Sequence, residues 1–216
     1  MKKKAVIFDL DGTLLNTLGD LANSTNFVLE RYNYPKRTTD EVRQFVGNGV
    51  AKLIERAIPD GRNNPNFNKC IDTFKTHYSQ NMFSNTTPYD GVIELLTNIK
   101  NYRLKTAVVS NKFDKAVQEL CKRYFGNLID FCAGENEENG IRKKPYPDTV
   151  LKILNELNIS ANEAIYIGDS EVDIQTAKNA GLDCISVLWG FKDKEFLLKN
   201  GAEILISKPD EIFKYL

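Results

Sequence analysis

Five short apolar runs punctuate this chain, at residues 5–10, 106–109, 164–167, 184–187 and 203–206. Each is rich in β-branched residues, and none alternates cleanly between polar and apolar positions. A strand with one wet face must alternate, whereas a strand covered on both faces need not. Such runs therefore point to a parallel sheet buried between layers of helices. Helical segments lie between the runs. Asp90 is placed to cap a helix carrying Val92, Ile93, Leu95, Leu96 and Ile99. Others are expected over 147–157 and over 170–180, the second stopped by Gly181.

Residues 15–85 break this alternation. They hold no good strand and four amphipathic helical stretches. The first carries Leu18, Leu21, Ala22, Val28, Leu29 and Tyr32 at helical spacing. Thr38 with Glu41 forms a capping box for the second. A third follows Gly47-Asn48-Gly49. A fourth carries Phe67, Cys70, Ile71, Phe74, Tyr78 and Met82. The expected architecture is thus α/β: a Rossmann-like three-layer parallel-sheet core from 1–14 and 86–216, with an all-helical cap inserted over 15–85.

Composition excludes several functions. Lys+Arg and Asp+Glu are both 29, so the formal charge is zero, and a general nucleic-acid binder should be basic. No run approaches the ~20 apolar residues of a membrane span. The apolar run after the basic start is too short for a secretory signal, so a cytoplasmic location is expected. The cysteines at 70, 121, 132 and 184 form no Cys-x-x-Cys pair, and His77 is the one histidine, which argues against a zinc site. No Gly-Lys pair exists, so there is no Walker A loop. A Ser-His-Asp triad would have to use His77, on the apolar-periodic fourth helix.

The candidate chemistry sits where apolar runs end. Asp9-Leu10-Asp11-Gly12-Thr13 closes the first. Ligand sites of open α/β sheets lie beyond the carboxyl ends of strands. Carboxylates at i and i+2 of an extended segment point to one side, and repel unless a cation or proton separates them. A hard cation such as Mg²⁺ would settle them; equally, Asp and Gly are ordinary turn formers. Gly168-Asp169-Ser170-Glu171-Val172-Asp173 repeats the arrangement after 164–167. Helix capping explains one of those acids well and three poorly. Ser110-Asn111 ends 106–109, where a hydroxyl could reach a phosphate or simply cap a helix. Lys144, before Pro145, reads alone as a solvated charge.

Taken in order, these pieces resemble the haloacid dehalogenase-like superfamily, whose four signature motifs are all present. The resemblance covers essentially the whole chain. Phe45-Val46-Gly47-Asn48-Gly49, Pro88-Tyr89-Asp90-Gly91-Val92 and Val187-Leu188-Trp189-Gly190 are similar to its phosphoglycolate phosphatase group. Asn16 and Asp90 depart from that group, which has mostly an acid and a proline there. The resemblance implies Asp9 as nucleophile, forming an aspartyl-phosphate, and Asp11 as the acid and then base. It implies Mg²⁺ held by the Asp9 and Asp169 side chains and the Asp11 carbonyl, with Asp173 supporting that shell. Thr13, Ser110, Asn111 and Lys144 would bind the phosphoryl group.

The expected activity is a Mg²⁺-dependent phosphomonoester hydrolase acting on a small phosphorylated metabolite, foremost phosphoglycolate. The expected assembly is a monomer or homodimer, with no nucleic acid and no membrane as partner. Gly47, Asn48 and Gly49 are the candidate substrate loop of the cap. The alternatives are a sugar phosphomutase of the β-phosphoglucomutase kind, a pyrophosphatase or nucleotidase of the same fold, and a non-catalytic phosphoprotein-binding module. The last has little to recommend it while every motif acid is intact.

Overall fold

The computed structural model describes residues 3–216. In chain order the elements are β1 (Ala5–Phe8), β2 (Leu15–Asn16), α1 (Leu18–Arg31), α2 (Thr39–Phe45), α3 (Val50–Ala57), α4 (Phe67–Asn81), β3 (Thr87–Pro88), α5 (Val92–Asn101) and β4 (Lys105–Phe113). There follow α6 (Asp114–Tyr124), β5 (Phe131–Glu135), α7 (Asp148–Leu157), β6 (Ala164–Gly168), α8 (Glu171–Ala180), β7 (Asp183–Val187), α9 (Lys194–Lys199) and β8 (Ile204–Ile206). The chain divides into two compact units. One runs to Leu15 and resumes at Pro88; the other is Asn16–Thr87. The crossings fall within the two-residue strands β2 and β3, one or two residues from the expected boundaries.

The first unit is built on a six-stranded parallel sheet of order β5-β4-β1-β6-β7-β8. β1 is central and buried throughout. Its Phe8 aligns with Val108 of β4 and Ile167 of β6. Ala5 and Ile7 pack with Ala107, Val109 and Tyr166 of the neighbouring strands and with Val150, Ile153, Leu154 and Ala177 of α7 and α8. Val6 and Phe8 point the other way and are equally buried, so both faces are covered. Each such side chain contributes roughly 1.5–3 kcal/mol on burial. That two-sided burial is why the runs do not alternate.

Three local features differ from the sequence reading. α5 is capped by Gly91 at φ 81°, not by Asp90, because the entry turn needs the left-handed region. β4 does not stop at Val109 but continues to Phe113, with its register against β5 shifting between those residues. β5 was not foreseen at all. It is a half-exposed edge strand, and its Gly134 lies against the start of α6, where a Cβ would come 2.4 Å from the Asp114 Cα. No helix among the described residues is long and apolar enough to cross a membrane.

The second unit is α1 to α4 around Val28, Leu29, Val42, Leu53, Ile54, Phe74 and Tyr78. The Thr38–Glu41 capping box opens α2 as its residues dictate. His77 sets Nδ1 3.0 Å from the Ser24 hydroxyl and stacks on Phe27. Asp20 does not complete a triad with them, because its buried carboxylate is committed elsewhere. It accepts from the Asn85 backbone N–H and side-chain amide and from the Thr86 N–H and hydroxyl, at 2.8–3.1 Å. The start of α1 is thereby tied to the last residues of the same unit. Asp20→Ala is expected to cost about 1–3 kcal/mol, because buried donors lose their acceptor. Urea unfolding should show a lower midpoint, and amide exchange should speed at Asn85 and Thr86.

Candidate active site

The site is assembled wholly within the first unit, beyond the carboxyl ends of β1, β4 and β6. Asp9 follows β1 and is still extended, its N–H donating to the Ile167 carbonyl at 2.9 Å. The chain then turns. Gly12 adopts φ 89°, and the Thr13 and Leu14 N–H groups both donate to the Leu10 carbonyl. The two carboxylates of this segment meet different lysines. Asp9 Oδ1 lies 2.8 Å from the Lys144 ammonium. Asp11 instead receives Lys112, whose Nζ lies 3.0 and 2.9 Å from its two oxygens.

Lys144 is not the solvated charge that it resembles in isolation. It is 5% exposed. Its ammonium contacts Asp9 Oδ1 and Asp173 Oδ1, each at 2.8 Å, and the Tyr166 hydroxyl at 3.2 Å. Burial by itself would lower its pKa. Asp173 and Asp9 override that and hold it well above its ordinary value, so it stays charged. The neighbouring Arg142 and Lys143 are the solvated pair, on Asp148 and Glu137.

Asp173 is fully buried in the first turn of α8. Its Oδ2 accepts from the Asp169 and Ser170 N–H groups and the Ser170 hydroxyl, and its Oδ1 from Lys144 and Tyr166. Asp169, at the end of β6, accepts from the Phe191 N–H at 2.7 Å. The loop after β7 closes over it. A Cβ on Gly190 would stand 2.3 Å from the Asp169 Cβ, and one on Gly12 would stand 2.2 Å from its Oδ2. Trp189 anchors that loop by donating to the Thr13 carbonyl at 3.0 Å.

Oxygens of Asp9, Asp169 and Asp173 lie within 4.8 Å of one another. Burial pushes the Asp9 carboxyl up to about 7; Lys144 opposes this, while Asp173 and Asp11 reinforce it. Burial likewise raises Asp169 well above the carboxylate range, helped by Asp173 and Asp9 and opposed by the Phe191 N–H. Ionised together, the four carboxylates would face two ammonium groups, a deficit of two positive charges that the raised Asp9 and Asp169 reflect. An all-oxygen anionic donor set with that deficit fits a hard divalent cation. Asp173 already has donors on both oxygens, so Asp9 and Asp169 are the side chains suited to ligate one.

The expected phosphoryl-binding residues divide. The Thr13 hydroxyl is buried with no protein partner, an open donor. Asn111 donates to the Lys144 carbonyl at 3.1 Å, and Ser110 Oγ accepts from the Lys112 N–H at 3.3 Å. Both lie within β4 rather than at a helix start. Gly47, Asn48 and Gly49 lie in the helical unit, just before α3, with φ 111° and 84° at the two glycines. Lys112, Tyr166, Gly190 and Phe191 belong to the site but were missed. Lys112 directly follows Ser110-Asn111, and Gly190 closes the noted Val-Leu-Trp-Gly stretch; Tyr166 gave no signal beyond its place in an apolar run.

Comparison with known proteins gives the family. The profile of the haloacid dehalogenase-like hydrolases matches residues 6–187. The chain belongs to that family. It is 29% identical to a phosphoglycolate phosphatase of Aquifex aeolicus, covering 99% of this chain and 96% of the relative. It is 30% identical to one of Chromobacterium violaceum, over 97% and 95%. A crystal structure of a candidate phosphoglycolate phosphatase from Lactobacillus delbrueckii subsp. bulgaricus superposes with a TM-score of 0.93 at 35% identity, over 98% and 97%.

Gly190→Ala is expected to displace Asp169 or the backbone around it. Overpacking of this kind costs about 1–3 kcal/mol. Mg²⁺ should raise the melting temperature of the wild-type protein by mass action, and much less that of the variant. Thermal unfolding with and without Mg²⁺ measures both effects.

Proposed function

We propose that the protein is a Mg²⁺-dependent phosphoglycolate phosphatase working through an aspartyl-phosphate on Asp9. One observation carries the reading: a buried Asp9–Asp169–Asp173 cluster in which Lys144 pairs with Asp9 and Asp173, one ammonium among three carboxylates. The names of the relatives support the substrate. Phosphoryl transfer asks a protein for positioning and charge neutralisation, and this site offers both.

In this reading Asp9, Asp169 and the Asp11 carbonyl hold Mg²⁺, which supplies Lewis-acid stabilisation of the phosphoryl oxygens when bound. Asp173 supports Asp169 and Lys144 from behind. Thr13, Ser110, Asn111 and Lys144 hold the phosphoryl group. The Asp9 oxygen bonds to phosphorus, the bond to the leaving oxygen breaks, and Asp11 gives that oxygen its proton. A water oxygen then bonds to phosphorus while Asp11 takes its proton. The Asp9–phosphorus bond breaks, and inorganic phosphate leaves. Gly47, Asn48 and Gly49 are carried in the same reading as the residues that discriminate the organic part of the substrate.

A panel of phosphomonoesters and pyrophosphate with Mg²⁺ tests the reading. Phosphate release from 2-phosphoglycolate is expected to lead the panel. An isomerised sugar phosphate, with no phosphate released, would instead mean a phosphomutase. Asp9→Asn should remain folded by circular dichroism and lose turnover, since an amide oxygen does not attack phosphorus. Exhaustive EDTA dialysis should abolish activity and Mg²⁺ restore it. Ca²⁺ should restore little, because its larger and looser shell misplaces the reacting oxygens.

A further inference from the structure

Lys112 has no part in the roles assigned so far. It lies on β4 where the pairing with β5 shifts register, directly after Ser110 and Asn111. Its side chain is 3% exposed and ends on Asp11, 101 residues away in sequence and 20% exposed. Burying a long ammonium costs side-chain freedom and hydration, so the placement has to be held by what the charge meets. Here the charge meets both oxygens of one carboxylate at nearly equal distance. Asp11 stands outside the Asp9–Asp169–Asp173 cluster that Lys144 serves. Each aspartate of the first motif thus has its own lysine, contributed by a different segment.

We propose that Lys112 is a positioning residue for the Asp11 carboxyl, fixing the direction from which that group meets the oxygen joining phosphorus to the leaving group. The inference rests on the proton-carrying role proposed for Asp11. Proton transfer in the transition state needs hydrogen-bond reach, and a misplacement of about 1 Å can cost a hundredfold. Lys112 turns Asp11 towards β4 and keeps it from swinging into the metal-binding carboxylates. Its place directly after Ser110-Asn111 is the one sequence signal for Lys112; the contact itself exists only once β1 and β4 lie side by side.

The test uses the full-length protein with Mg²⁺ and enzyme in excess, so that only the first turnover is read. Two esters are compared. 2-Phosphoglycolate has an alkoxide leaving group that needs a proton, and 4-nitrophenyl phosphate has a phenolate that leaves largely without one. K112M is expected to slow the first by roughly a hundredfold and the second by less than about fivefold. In separate steady-state assays KM and the inhibition constant of inorganic phosphate should stay near their wild-type values, and K112R should recover most of the loss. Equal losses on both esters overturn the inference. So does a weakened inhibition by phosphate, which would make Lys112 a direct ligand of the phosphoryl group. If K112M does not fold, K112A is read in the same way, since it too removes the donor to Asp11. Wild-type protein that releases phosphate from neither ester defeats the phosphatase reading itself, and this inference with it.

Discussion

The ammonium of Lys144 is the contact on which the rest of the site depends. It lies out of water between Asp9 and Asp173, with Tyr166 as a third partner. An unpaired charge in that position would be untenable, and so would two unpaired carboxylates. The lysine therefore binds together the end of β1, the segment before α7 and the first turn of α8. Asp173 is committed in both directions: one oxygen faces Lys144, and the other caps α8 and holds the Asp169 and Ser170 N–H groups. Moving any one of these groups moves the others.

Sheet order brings the remaining parts to the same place. β1 is central, with β4 on one side and β6 on the other, all parallel. The residues leaving their carboxyl ends are consequently neighbours: Asp9 and Asp11 from β1, Ser110 to Lys112 from β4, and Asp169 from β6. Close approach is possible only because Gly12 and Gly190 lack a Cβ on either side of Asp169. The register shift in β4 falls on the three residues that face the site, so regular pairing with β5 gives way where side chains are needed.

The two aspartates of the first motif end in different surroundings although one residue separates them. Asp9 is buried against Lys144 and among other acids, while Asp11 is more exposed and held by Lys112. A reaction that asks one carboxyl to attack phosphorus and another to carry a proton requires such a division. Two lysines from distant segments make the division, Lys144 on Asp9 and Lys112 on Asp11.

Much of this was legible in the residues. Non-alternating runs at 5–10, 106–109 and 164–167 implied a sheet covered on both faces, since burial on both sides removes any need for polar positions. The acids ending the runs at 5–10 and 164–167 marked the candidate site, and the Thr38–Glu41 spacing announced a helix start, because capping is a local interaction. What local pattern could not carry was pairing across the fold. Lys144 reads as a surface charge until tertiary packing buries it, and Lys112 is one lysine among many until β4 lies beside β1. β5 escaped notice because an edge strand is half exposed and carries little hydrophobic signal. Gly190 and Phe191 acquired meaning only when their loop was seen to close on Asp169. Residue type and spacing determined which chemistry was available; the packing of strands 100 residues apart in sequence decided which charge each carboxylate would meet.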